Sequence, residues 1–181
     1  MFKNLLKNNS KKEEVMVDTM KKVDIPESIS KVKIAPFYYD NKILAAAPHV
    51  NKTFIATCQL ENLLDSITFE NFTKEVSDRL SNELLGEIST YFQNDHLPKD
   101  EIGIYISNIY LAFNEYMIAL KAAFLGIDYT RYLDTLCFST NDEDSSKLKL
   151  MLNLAKNELK KLSLTITPSN PEIIGNDKTQ T

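Results

Sequence analysis

Apolar positions in the first third of the chain follow two different patterns. Residues 1–30 carry scattered Val and Met among many polar residues, without a sustained period, which is typical of a flexible arm. Residues 31–58 contain short apolar runs rich in Val, Ile, Phe and Tyr, separated by Asp and Asn, which favours strands joined by tight turns. Pro36 and Pro48 would restrict these strands to edge or terminal positions, because proline cannot donate a ladder hydrogen bond. A short helical fragment around Ala46 is an open alternative.

Beyond Cys58 the apolar residues recur every three or four positions, which is the period of α-helices. A stripe from Phe69 to Phe92 predicts one amphipathic helix with Thr68 as its N-cap. A longer helix is predicted over 98–125, ended by Gly126. A short amphipathic segment of one or two turns and a last helix are expected to follow. The short segment is supported by Tyr129, Tyr132, Leu133 and Leu136. The last helix is supported by the capping-box pair Thr140 and Glu143, which precedes an apolar face ending at Leu162.

These patterns predict an α+β fold that is mainly α. A small N-terminal antiparallel sheet would be followed by a helical bundle of four to five helices. The expected organisation is a flexible arm at 1–30, a single globular domain at 31–166 and a disordered tail at 167–181. Within the globular domain, the sheet would occupy 31–58 and the bundle 59–166.

The segment 102–125 differs from an ordinary amphipathic helix. Its polar residues recur about every seven positions, so they form a narrow stripe that we expect to face water, and most of the remaining circumference is apolar. Such a helix is covered either by other helices of a bundle or by a second subunit. A membrane span is also possible by length, but Asn108, Asn114, Glu115 and Lys121 would make it costly. The candidate interface residues along its broad apolar face are Ile102, Tyr105, Ile109, Phe113, Met117, Leu120 and Phe124.

Composition and charge argue against nucleic acid as a partner. The formal net charge is −4 and the pI is about 5.3, so the overall field repels phosphate backbones. There are 19 lysines but only 2 arginines, Arg79 and Arg131, and arginine supplies the planar fork that reads guanine edges. The lysine excess, with abundant Asn and Ile, is typical of an AT-rich genome.

The residues that most often carry chemistry are few and scattered. His49 and His96 have no partners at metal-ligand spacing, and Cys58 and Cys137 lie far apart among apolar residues. Two isolated cysteines indicate a reducing, cytoplasmic environment rather than a disulfide framework. We therefore predict no catalytic, cofactor-binding or metal-binding residues and no small-molecule ligand, although a dispersed site near His96 or Cys137 would leave no local pattern.

The first twelve residues form a candidate docking segment of their own. They contain four lysines and no acid, and their apolar residues fall at helical spacing, so a helix there would present an apolar edge flanked by lysines. Such an edge fits a partner's groove or a weak, peripheral contact with a membrane. The candidate docking residues are Phe2, Lys3, Leu5, Leu6 and Lys7.

The sequence therefore favours a non-catalytic protein–protein interaction or regulatory protein that binds another protein or itself. Self-association would use the apolar helix, with a homodimer as the simplest assembly. A nucleic-acid-binding regulator is one alternative. An enzyme with a dispersed site is the other.

Overall fold

The computed structural model of the chain describes residues 22–175. Within this range there are seven α-helices, one 3-10 turn at Ala47–His49 and six strands in a single mixed sheet. The helices are α1 (Glu27–Ser30), α2 (Lys42–Ala46), α3 (Leu63–Ser66), α4 (Phe69–Val76), α5 (Asn82–Ser89), α6 (Glu101–Phe124) and α7 (Ser146–Lys160). The strands are β1 (Tyr38–Tyr39), β2 (Phe54–Leu60), β3 (Asp128–Tyr132), β4 (Thr135–Thr140), β5 (Ile166–Thr167) and β6 (Ile173–Gly175).

The sheet draws its strands from most of the described chain. Its order is β1-β3-β4-β2-β5, and β6 pairs with β2 along the same edge as β5. The β3–β4 hairpin lies beside β2, with Thr57 opposite Cys137 and Cys58 opposite Leu136. Only β1 is parallel to its neighbour, β3, and all the other described pairs are antiparallel.

The predicted fold of a small N-terminal sheet followed by a helical bundle is wrong. The sheet has six strands among the described residues, and four of them follow the long helix α6. The residues predicted to form a short amphipathic segment of one or two helical turns form the β3–β4 hairpin instead. Leu133, between the two strands, adopts a left-handed backbone with φ 51°. Because most residues of β3 and β4 are buried, these strands lack the clean in–out alternation that identifies a half-buried strand.

Several element boundaries also differ from the prediction. Residues 42–46 form α2, capped by Asn41, where a strand was expected, so the open alternative of a helical fragment is confirmed. The helix predicted from Phe69 to Phe92 is two helices, with Ser81 capping the second. The last helix begins at Ser146 rather than at the predicted capping box.

Two helix signals are confirmed by the structure. Thr68 caps α4 by accepting a hydrogen bond from the backbone N–H of Asn71. The long helix spans Glu101–Phe124, close to the predicted 98–125, and Gly126 follows it with a positive φ of 70°. Both signals depend on the conformation of a few neighbouring residues.

Successive side chains of β3 point to opposite faces of the sheet, and other elements pack on both faces. Tyr129 and Arg131 point to one face, where α6 and α7 pack. Thr130 points to the other, where its hydroxyl donates to the carbonyl oxygen of Ala45 in α2. The core lies between the first face and the helices, so α6 is held against the sheet along one side.

The described residues also include parts of the predicted arm and tail. Glu27–Ser30 form α1, and Ile173–Gly175 form β6 on the edge of β2. Among residues 22–175, no helix combines the length and apolar character that a bilayer crossing requires.

Candidate functional site

The polar residues of α6 face inward, not toward water as the sequence suggested. Ser107, Asn108, Asn114 and Glu115 are all buried. Their spacing of about seven residues places Asn108 and Glu115 on the side of the helix that meets the sheet. The narrow polar stripe is therefore a contact surface within the protein.

Arg131 of β3 is the partner of that stripe. Its guanidinium binds both carboxylate oxygens of Glu115, with Nε to Oε1 at 2.9 Å and Nη2 to Oε2 at 3.0 Å, and both side chains are buried. Arg131 also donates to the side-chain oxygen of Asn108 and to the carbonyl oxygen of Leu133. Burial alone would lower the pKa of Arg131, but the adjacent Glu115 carboxylate outweighs it, so the pKa is raised.

Two tyrosines complete this buried network. The Tyr129 hydroxyl donates to Glu115 Oε1 at 3.0 Å, and burial together with that carboxylate raises the pKa of Tyr129 well above its usual value. The guanidinium carbon of Arg131 lies 4.6 Å from the centre of the Tyr38 ring, which is cation–π geometry. The arginine is thus enclosed by one carboxylate, one amide and one aromatic ring.

A second polar contact links α6 to α7. The buried Glu158 carboxylate accepts hydrogen bonds from Asn114, Lys121 and Lys161. Burial would raise the pKa of Glu158, but these three donors outweigh it and the pKa is lowered. The polar side chains of α6 are therefore divided between Arg131 on the sheet and Glu158 on α7.

The apolar face of α6 points away from the sheet and is covered along only part of its length. Helices α3 and α4 contact α6, and Arg79, just beyond α4, reaches the carbonyl oxygen of Ile109 at 3.4 Å. Beyond this point the face is open: Phe113 is 56% exposed, Leu120 63% and Phe124 90%. We call Phe113, Tyr116, Leu120 and Phe124 the apolar stripe.

The predicted interface residues thus fall into two groups. Ile102 and Ile109 are buried in the core, and Tyr105 donates from its hydroxyl to the carbonyl oxygens of Ser30 and Val32. Those that lie on the open part of the face are Phe113, Leu120 and Phe124, with Met117 half-buried beside them.

Tyr116 belongs to the apolar stripe but was not among the predicted interface residues. It is 46% exposed, and its ring packs edge-on against Phe37 with 5.8 Å between centroids. Tyr116 lies three residues after Phe113 and four before Leu120, so helical spacing alone could have placed it on the same face.

A cleft of about 700 Å³ lies beside the network, at the N-terminal half of α6. Tyr38, Tyr105 and Tyr132 line it, together with the acidic residues Asp40 and Glu101. Ile25, Ile34, Ile104, Asn108, Leu133 and Lys22 make up the rest of the lining. No spacing in the sequence indicated this cleft, because its walls come from three distant segments.

His49 is a structural residue between α2 and the sheet. It is fully buried, with Nδ1 2.5 Å from the Ser139 hydroxyl and Nε2 2.8 Å from the Thr130 hydroxyl. Thr130 donates its own proton to Ala45, so it must accept from Nε2–H. Burial lowers the pKa of His49 to about 4, so the ring is neutral at pH 7 and Nδ1 then accepts from the Ser139 hydroxyl.

The other candidate nucleophiles and ligands are not brought together. His96 is exposed and its Nδ1 lies 3.1 Å from the carbonyl oxygen of Asp65. Burial raises the thiol pKa of both Cys58 and Cys137 to about 12, and the two side chains alternate to opposite faces of the sheet. Across residues 22–175, no group of three or more His, Cys, Asp or Glu side chains is placed to hold a metal ion.

The predicted docking residues Phe2, Lys3, Leu5, Leu6 and Lys7 lie outside the described residues.

Comparison with known proteins gives a likeness of fold only. Neither a protein-family model nor a curated protein matches the sequence. A solved structure of apo telomerase from Candida tropicalis, truncated from the C-terminal domain, is similar in fold with a TM-score of 0.54 and 11% sequence identity. The similarity covers 80% of this chain and 37% of the telomerase chain in that structure, so this chain spans little more than a third of that chain's length.

The buried, neutral His49 predicts a specific dependence of stability on pH. Because its pKa is about 4 when folded and about 6.5 when unfolded, its contribution is fully present above pH 6.5. Between pH 6.5 and 4 the unfolded chain binds a proton that the folded chain does not, so the free energy of unfolding falls by up to about 1.4 kcal/mol per pH unit. Urea unfolding of the wild type and of His49→Gln across this range should show a shallower slope in the variant.

His96→Gln is the matched control, since that ring is exposed. Its stability should keep the wild-type slope. Equal slopes for the wild type and His49→Gln would show that His49 titrates in the folded protein as it does in the unfolded chain.

Proposed function

We propose that this chain is a non-catalytic protein–protein interaction or regulatory protein that self-associates through α6. The main support for the proposal is the apolar stripe. Because Glu115 of α6 faces the protein interior, Phe113, Leu120 and Phe124 on the opposite side of the helix are exposed to water. Contiguous exposed apolar residues of this size are uncommon on monomeric proteins and mark binding surfaces. The proposed partner is a second copy of the chain.

The geometry of the apolar stripe fits a homodimer in which a two-fold axis relates two copies of α6. Phe124 lies eleven positions after Phe113, or about 16 Å further along the helix. If two copies of α6 pack antiparallel, Phe113 of one lies beside Phe124 of the other and Leu120 lies near the axis. No charged residue lies among the exposed members of the stripe, and Lys121 turns toward Glu158 instead. Such pairing would bury aromatic and leucine side chains without burying a charge.

Substitution of Leu120 by lysine tests the proposed dimer. Each copy would bring one unpaired ammonium group to the centre of the interface, so we expect the dissociation constant to rise by about 100-fold or more. Sedimentation velocity over a wide concentration range measures it. We expect the wild type to pass from monomer to dimer and Leu120→Lys to stay monomeric.

Leu150→Lys is the matched control, because Leu150 is 48% exposed on α7 and lies outside the apolar stripe. This variant should dimerise like the wild type. A wild-type chain that is monomeric at every concentration, or a Leu120→Lys chain that dimerises normally, would refute the proposal.

A nucleic-acid-binding regulator is the second candidate, because the sequence left it open. The likeness to a telomerase structure, at 11% identity, is one of fold and adds nothing about partners. The net charge of −4 and the two arginines, of which Arg131 is buried, weigh against this candidate. A chain with a net negative charge and so few arginines would bind nucleic acid weakly, although it carries 19 lysines.

A gel-shift assay at low salt separates the two candidates. For the interaction protein we expect no retention of single-stranded or duplex nucleic acid at 50 mM salt, roughly the condition that most favours phosphate contacts. Retention that falls steeply as salt is added would favour the second candidate. The Leu120→Lys variant serves as a control, because it changes oligomeric state without touching the cleft.

The compartment belongs to the proposal as well. We propose a cytoplasmic protein, supported by Cys58 and Cys137, which are free thiols on adjacent strands. An enzyme with a dispersed site is the least favoured candidate, because the Cys137 thiol stays protonated at neutral pH and His96 has no acid–base partner among the described contacts.

A further inference from the structure

We propose that the cleft beside α6 binds the chain's own lysine-rich N-terminal segment, residues 1–12, folded back across it. This surface is separate from the apolar stripe, so the inference goes beyond the proposed self-association. Three observations carry it: the chemistry of the lining, the path of the chain and the charge of the segment.

The lining of the cleft suits an ammonium group. Asp40 and Glu101 supply two carboxylates, while Tyr38, Tyr105 and Tyr132 supply three aromatic rings. A lysine side chain can place its ammonium group near the carboxylates and over a ring while its methylene groups pack on the same apolar walls. Tyr38 already accepts one cation in this way, from Arg131.

The path of the chain brings the N-terminal segment to the cleft. Lys22, the first described residue, is itself part of the lining. An extended chain spans up to about 3.5 Å per residue, so Lys12 lies within about 35 Å of Lys22. A segment tethered this close has an effective concentration in the millimolar range, so even weak contacts would keep the cleft occupied.

The charge of residues 1–12 is opposite to that of the cleft, whose lining carries two carboxylates, Asp40 and Glu101, and one ammonium group, Lys22. The segment carries four lysines, Lys3, Lys7, Lys11 and Lys12, and no acid. Its apolar residues would meet the isoleucines of the lining, and its lysines would meet the two carboxylates. Those apolar residues are Phe2, Leu5 and Leu6, and the isoleucines are Ile25, Ile34 and Ile104.

Carbodiimide cross-linking of the full chain tests this placement, because the reagent joins a lysine amine directly to a nearby carboxylate. In the monomer fraction at low salt, peptide mapping should recover links from the four segment lysines to Asp40 or Glu101. We expect these links to fall by about tenfold in Asp40→Asn/Glu101→Gln and to weaken as salt is raised. Glu143 and Glu172, which are exposed and outside the cleft, are the reference carboxylates.

Hydrogen exchange of a second variant gives an independent readout. Replacing the four segment lysines by glutamine leaves the described fold untouched, and it should speed exchange in peptides covering 38–40 by about threefold or more. Links spread evenly over Asp40, Glu101, Glu143 and Glu172 would overturn the proposal. So would links found only in a dimer fraction, or exchange unchanged by the glutamine variant.

Discussion

The buried ion pair between Arg131 and Glu115 sets how the long helix sits on the sheet. An arginine on an inner strand must find a carboxylate, and Glu115 together with Asn108 supplies it from one side of α6. A buried pair of this kind adds little net stability, because desolvation of the two charges offsets their attraction. It does fix orientation, since any rotation of α6 would leave the guanidinium unpaired in the core.

That orientation determines which surface meets solvent. Once Asn108 and Glu115 face the sheet and Asn114 faces Glu158, the apolar side of α6 must point outward. Helices α3 and α4 cover the first half of that side, and the remainder is the apolar stripe. The proposed contact surface is thus a consequence of charges buried on the opposite side of the same helix.

Local signals in the sequence predicted only part of the local structure. The N-cap Thr68, the extent of α6 and the stop at Gly126 each depend on a few neighbouring residues. The capping-box pair Thr140 and Glu143 does not begin a helix, because Thr140 pairs with Phe54 in the sheet. The sheet and the buried pair depend on residues far apart in the chain. β2 pairs with β4 about eighty residues later, and nothing near Glu115 shows that its partner is Arg131. Hence the sequence pattern alone predicts that the polar stripe of α6 faces water, although its partners lie in the core.

The unfolding free energy of Glu115→Gln tests most directly whether the polar stripe faces inward. Removal of this carboxylate leaves the buried Arg131 charge unpaired, so we expect the free energy of unfolding in urea to fall by about 3–5 kcal/mol. Glu27→Gln is the control, because Glu27 pairs with Lys31 at the surface and its side chain is 82% exposed, and it should cost less than about 1 kcal/mol. A loss for Glu115→Gln as small as that of the control would place Glu115 in solvent and show that the polar stripe does not face inward.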